Sequence, residues 1–199
     1  MKSHVFAAGL LCCGTALSTS ALAMDPACQP LMQSERSMAN TPVHITVTEN
    51  RSWSKNLSKA AAGMGMGGMK TSEEVSTGKA LYVRHGSQWI DMGASFAGMR
   101  GDPNDPEIRK AQEAERCKAL FDETVAGQAA AVYQEHNPAG IDTKIWISKS
   151  THLPIKSEIT NTAGGPAMTS VTVSTYDYKN VRAPVGAITM QQMVNERRH

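Results

Sequence analysis

The chain has 199 residues, which fits one domain of ordinary size. Its 20 Lys and Arg against 18 Asp and Glu leave a net charge of +2, and so weak a surplus gives no electrostatic case for a nucleic-acid partner. No stretch beyond the first two dozen residues is long and apolar enough to read as a membrane helix.

The N-terminus has the form of a secretory signal peptide. Lys2 and His4 make a short positive head, Val5 to Leu17 is an apolar run, and Ala21-Leu22-Ala23 is an A-x-A cleavage site. Residues 1–23 are therefore expected to be removed through the Sec pathway, leaving 24–199 as a single domain. A retained anchor is the alternative, although the apolar run is short for a bilayer. Leu11 before Cys12 lacks the small residue that lipid attachment wants, so Cys12 and Cys13 are expected to leave with the signal. Cys28 and Cys117 remain. An even count in an exported chain predicts one disulfide, which closes a loop of about ninety residues and contributes roughly 4–5 kcal/mol at most by chain entropy. The other reading is two buried free thiols.

In the mature chain, Leu31, Met32, Glu35 and Met38 have helical spacing ahead of Pro42, which predicts a short amphipathic helix within Asp25–Asn40. Val43 to Glu49 alternates cleanly, with Val43, Ile45 and Val47 on one face and His44, Thr46 and Thr48 on the other. Ser58 to Lys70 is Gly- and Met-rich and reads as a hairpin loop. Glu73–Arg84, a turn at His85–Gln88 and Trp89–Met92 form a meander. Gly93–Pro106 is loop. Asp105 as N-cap and Pro106 at the first position predict a helix over Pro106–Ala114. Cys117–Thr124 and Ala129–His136 read as strands around a turn at Val125–Gln128.

A hairpin follows over Gly140–Ile159. Ile145, Trp146 and Ile147 are consecutive large apolar residues, Lys149-Ser150-Thr151 is the polar break, and Pro154 opens the return strand where a missing N–H does least harm. Met168–Tyr178 alternates most clearly of all, Val171, Val173 and Thr175 against Thr172, Ser174, Tyr176 and Tyr178. A weak helical pattern at Met190–Arg197 closes the chain. About eight strands with short connections predict one antiparallel sheet, its apolar face covered by the helices.

Motifs that would carry chemistry are weak. Gly63, Gly65 and Gly68 spell G-x-G-x-x-G, but Ala60-Ala61-Ala62 before and Met69-Lys70-Thr71 after provide neither the strand nor the helix that a dinucleotide site needs. Met64, Met66 and Met69 could hold Cu(I) through soft thioethers; the plainer reading is an adaptable apolar loop. His44, His85, His136 and His152 sit in separate elements, without metal-ligand spacing. There is no G-x-S-x-G. Asp102, Asp105 and Glu107 read as capping and turn residues. Trp53, Trp89 and Trp146 read as core or cavity wall, with Trp146 structural and Trp89 nearer a cavity. No cofactor and no catalytic set is predicted.

Several segments together resemble the LolA/LolB-like superfamily of periplasmic lipoprotein carriers and its lipoprotein-sorting relatives. They are T-P-V-H-I-T-V-T from Thr41, Y-V-R-H-G-S-Q-W-I from Tyr82, K-I-W-I-S-K-S-T-H-L-P-I-K from Lys144, and Y-D-Y-K-N-V from Tyr176. The sharpest part is Ile145–Lys156, although Ser148 stands where the family usually has Asp and His152 where it usually has Gly. The resemblance implies an α+β fold: a single curved antiparallel sheet, an incomplete barrel, with helices over its concave face. It further implies a non-enzymatic periplasmic carrier or binder of lipid or lipoprotein acyl chains. The expected cavity wall is Ile45, Val47, Leu81, Val83, Trp89, Val171 and Val173. The alternatives are a Cu(I)-binding protein using Met64, Met66 and Met69, and a module that docks an envelope protein.

Overall fold

In the computed structural model the described residues are 25–53, 68–94, 114–137, 141–162 and 168–196, with Pro106, Glu107 and Lys110 between them. A 3-10 turn, Pro26–Cys28, leads into helix α1, Gln29–Ala39. The strands are β1 Val43–Trp53, β2 Gly68–Ser76, β3 Leu81–His85, β4 Gln88–Asp91, β5 Arg116–Ala119, β6 Glu123–Val125, β7 Gln128–Asn137, β8 Ile141–Ser148, β9 Pro154–Asn161, β10 Met168–Asp177 and β11 Ile188–Thr189. Helix α2, Met190–Glu196, follows. The expected signal peptide lies outside the described residues, as does most of the Gly- and Met-rich segment. Of the predicted Pro106–Ala114 helix, only Pro106, Glu107, Lys110 and Ala114 are described, and these are helical.

All eleven strands belong to one sheet in the order β11-β4-β3-β2-β1-β10-β9-β8-β7-β5, with β6 also against β7. Every pair is antiparallel except β4–β11. Among the described residues the two edges do not pair with each other, so the barrel is incomplete, as the sequence led us to expect. Sequence reading under-counted the strands for three reasons. The predicted Glu73–Arg84 strand is two, β2 and β3, divided at Thr77–Ala80. The predicted Cys117–Thr124 strand is two short ones, β5 and β6, divided at Leu120–Asp122. The two-residue β11, too short for any alternation to register, was not anticipated at all.

Local chemistry sets the turns. Gly86 has φ +61 at the first position of the two-residue β3–β4 turn, and Ala126 and Gly127 have φ +48 and +79 between β6 and β7. Two-residue hairpins need such left-handed backbone because only those turns match strand twist. His152 takes φ +58 in the β8–β9 turn, where Ser148 N donates to Leu153 O at 2.9 Å and His152 N to Ser148 O at 2.9 Å. Pro154 then opens β9 as expected.

Register divides the sheet into two faces. Directly opposed residues share a face, so Ile45 pairing with Glu74 and Tyr176, and Glu74 with Val83, put those four together. The same side carries Val43, Ser76 and Leu81, and Val47, Ser174, Ser157, Ile145 and Tyr133 in one cross-sheet row. Helix α1 covers part of this side. Its entry turn is tied to β5 by the Cys28–Cys117 disulfide, with Cα atoms 5.1 Å apart, and Cys117 N donates to Asp25 Oδ2 at 3.2 Å. Leu31, Val43, Ile45, Leu81 and Ile90 are all buried, each burial worth about 1.5–3 kcal/mol.

The opposite side has its own smaller cluster of Ala130, Val132, Trp146 and Ile155, with Leu120 and Val125 packed against it. A bulge makes Ile155 the extra residue in β9, between the Lys156–Trp146 and Pro154–Ile147 pairs. At such a bulge neighbouring side chains leave strict alternation, and so Ile155 joins Trp146. Trp146 is structural, as anticipated. It is 3% exposed, its Nε1 donates to Glu123 Oε2 at 2.8 Å, and Lys144 and Lys156 Nζ sit 4.5 and 4.2 Å from its ring centre.

Candidate functional site

The seven residues expected to wall one cavity fall on two faces. Ile45, Val47, Leu81 and Val83 lie on the helix side. Val171 and Val173 oppose Asn50 and Thr48, and Trp89 opposes Arg84, all on the other side. Trp89, expected nearer the cavity, instead belongs to a surface group. His44 stacks edge-on against it at 6.4 Å, and the Arg84 guanidinium lies 5.9 Å from its ring while binding Glu73 at 2.8 Å. His44 Nε2 is 3.3 Å from Glu73 Oε2 but lacks hydrogen-bond geometry and has no partner among the described residues. Alternation within β1 and β10 was readable in sequence. The phase between those strands depends on register, which no single strand carries.

Register also joins Val47 and Val83 of the expected wall to three isoleucines that were not singled out for the site. Val47, Val83, Ile141, Ile145 and Ile159 are half-buried and share the helix side, Ile141 through Asn161 and Ile159 through Thr143 and Thr172. Between them stand Ser72, Glu74, Thr143, Thr172 and Ser174. The face is thus amphipathic, with branched apolar side chains interleaved with hydroxyls, rather than apolar throughout. Tyr176 Oη and Ser157 Oγ are 2.9 Å apart, and Tyr178 Oη donates to Pro154 O at 2.8 Å. Burial pushes both phenols up in pKa.

Carboxylates gather where α1 meets β5 and β7. Glu135 opposes the disulfide-bonded Cys117 across the β5–β7 pair. Its pKa is pushed up to about 7, first by burial and then by the charges of Glu115 and Glu35. Glu115 is raised by burial and by Glu35, and Glu74 is raised by burial.

A pocket of about 360 Å³ opens between α1 and the β7–β8 end of the sheet. Pro30, Gln33, Ser34, Ala131, Tyr133, Ile147, Ser148, Lys149 and His152 line it. Tyr133 lies directly opposite Ile145, which puts the pocket beside the half-buried apolar row. Neither Ser34 on α1 nor the turn residues were readable as a site, because their meeting depends on how α1 crosses the sheet.

No group of three or more His, Cys, Asp or Glu side chains among the described residues is arranged to hold a metal ion. Of the methionines considered for Cu(I), Met64 and Met66 lie outside the described residues, and Met69 is 75% exposed on β2. Asp102 and Asp105 also lie outside them. Among the described residues no helix is long and apolar enough to cross a membrane.

No family model matches the sequence, and no curated protein matches it. Solved structures do match. The chain is similar to the Mycobacterium tuberculosis lipoprotein LppX at 12% identity and a TM-score of 0.43, over 78% of this chain and 96% of that one. It is similar to a LolA superfamily protein from Nitrosomonas europaea at 11% identity and a TM-score of 0.28, over 79% and 94%. A Pseudomonas aeruginosa MucA/MucB complex matches at 12% and 0.38, over 79% of this chain and 58% of that one. One of these three is named as a protein of the superfamily that the sequence resembles. At these identities and scores no residue role transfers to this chain.

Proposed function

We propose that this protein is a non-enzymatic binding or carrier protein for an amphiphile, a lipid or an acylated protein, which lies on the helix side of the sheet. The observation that carries this reading is the set of half-buried Val47, Val83, Ile141, Ile145 and Ile159 on that side. Branched apolar side chains left partly open on the face a helix covers provide burial for acyl chains at about 0.8 kcal/mol per CH₂. Interleaved hydroxyls suit a ligand that also carries polar groups. The ligand site proposed here keeps Ile45, Val47, Leu81 and Val83 from the expected wall and adds Ile141, Ile145 and Ile159. It omits Trp89, Val171 and Val173. The signal-peptide pattern and the disulfide fit an oxidising compartment outside the cytoplasm, the periplasm.

Native mass spectrometry of the mature protein, purified without detergent, tests the reading alongside organic extraction. A co-purifying lipid of defined mass supports it and names the class. An apo mass, together with no uptake of an added fluorescent fatty acid, rejects it.

A further inference from the structure

Resting on the carrier reading, we propose that the pocket between α1 and the β8–β9 turn binds a phosphate-type anion, the headgroup of an amphiphile whose chains run along the helix-side row from Ile145. Two independent observations support this assignment. The first is Ser34. It is 3% exposed, it lines the pocket, and its Oγ has no hydrogen-bond partner among the described residues. A buried hydroxyl without a partner costs stability, and a ligand oxygen in the pocket supplies the missing partner.

The second is the donor set. Gln33, Tyr133, Lys149 and His152 complete the polar lining with Ser34, Ser148 also borders the pocket while its own hydroxyl is held by Ser150 Oγ at 3.0 Å, and no carboxylate lines the pocket. That is the composition a phosphate needs, because it offers only acceptor oxygens when ionised. Lys149 reaches Asp122 outside the pocket, and both side chains are about half exposed. Surface pairs of this kind are weak, so Lys149 can turn to a bound anion. His152 owes its place to its left-handed backbone, φ +58, at the head of the turn. The Tyr133–Ile145 pairing then joins a polar head site to an apolar row, which is the shape of an amphiphile.

Isothermal titration of the mature protein with dihexanoyl phosphatidic acid, dihexanoylglycerol and inorganic phosphate tests the assignment. The expected result is tighter binding of the phosphatidic acid than of the neutral glyceride, by about tenfold or more. Ser34→Ala and Lys149→Gln should each remove most of that advantage and leave the glyceride unchanged. Ser34→Ala deletes an unpartnered hydroxyl, so its thermal unfolding should match or exceed the wild type; Lys149→Gln is a surface change and provides the second variant. Equal binding of the two amphiphiles, unmoved by either variant, overturns the headgroup pocket and leaves the carrier reading intact. Phosphate binding without either amphiphile supports the anion pocket, fed by free phosphate, and overturns the carrier reading. No binding by any of the three overturns both.

Discussion

Glu135 offers a perturbation whose size follows from its surroundings. The carboxyl sits beside the disulfide junction and faces Glu115 from the approach to β5 and Glu35 from α1; burial and those charges raise it from 4.5 to about 7. A carboxyl raised on folding favours the native state at low pH, and that advantage is lost as pH climbs from its unfolded value through 7. The full displacement corresponds to roughly 3 kcal/mol. The side chain is partly wetted, however, and solvent screening reduces the expected loss to about 1–2 kcal/mol between pH 5 and 8. Glu135→Gln keeps the shape and removes the charge. Urea unfolding should therefore show the variant within about 0.5 kcal/mol of wild type at pH 5 and more stable by about 1–2 kcal/mol at pH 8. If the variant tracks wild type at both pH values, or is the weaker protein at pH 8, the carboxylate is not strained as described.

Other expectations are simpler. Cys28→Ser with Cys117→Ser opens a loop of 89 residues and should lower stability by up to about 4.6 kcal/mol, read by denaturant midpoint with and without reductant; no change would mean that the bridge constrains nothing. Ala126→Asn places a residue tolerant of left-handed backbone before Gly127 and should stabilise by about 0.5–1 kcal/mol in thermal unfolding. His152→Gly removes a side chain from a left-handed turn and should leave stability equal or higher by up to about 1 kcal/mol. A loss of stability there would assign the imidazole a structural contact.

The sequence carried the strands and withheld the site, for a physical reason. Alternation in β1 and β10 separated each strand's two faces correctly: Val43, Ile45 and Val47 do share one side, and so do Val171, Val173 and Thr175. What alternation cannot supply is the phase of one strand against its neighbour. Thr48 pairs with Val173 and Ile45 with Tyr176, so the valines of β10 lie behind the wall they were expected to complete. Trp89 left the site for the same reason, through its pairing with Arg84. The β8–β9 hairpin was legible because its signals are local: three consecutive large residues, a polar break and a Pro at the mouth. The pocket was not, since Ser34 on a helix and Lys149 and His152 in a turn meet only when α1 is laid across the sheet by the Cys28–Cys117 bridge.

The central claim is that ligand lies on the helix side of the sheet. A pair of single substitutions tests it, read by uptake of a fluorescent fatty acid with circular dichroism as the folding control. Ile159→Lys puts a charge on the helix side, opposite Thr143 and Thr172. Val173→Lys puts the same charge on the other side, opposite Glu158, where it gains a partner. The account predicts that folded Ile159→Lys loses uptake by about tenfold or more while Val173→Lys keeps it. Uptake lost in Val173→Lys and kept in Ile159→Lys would place the ligand on the opposite face and contradict the account.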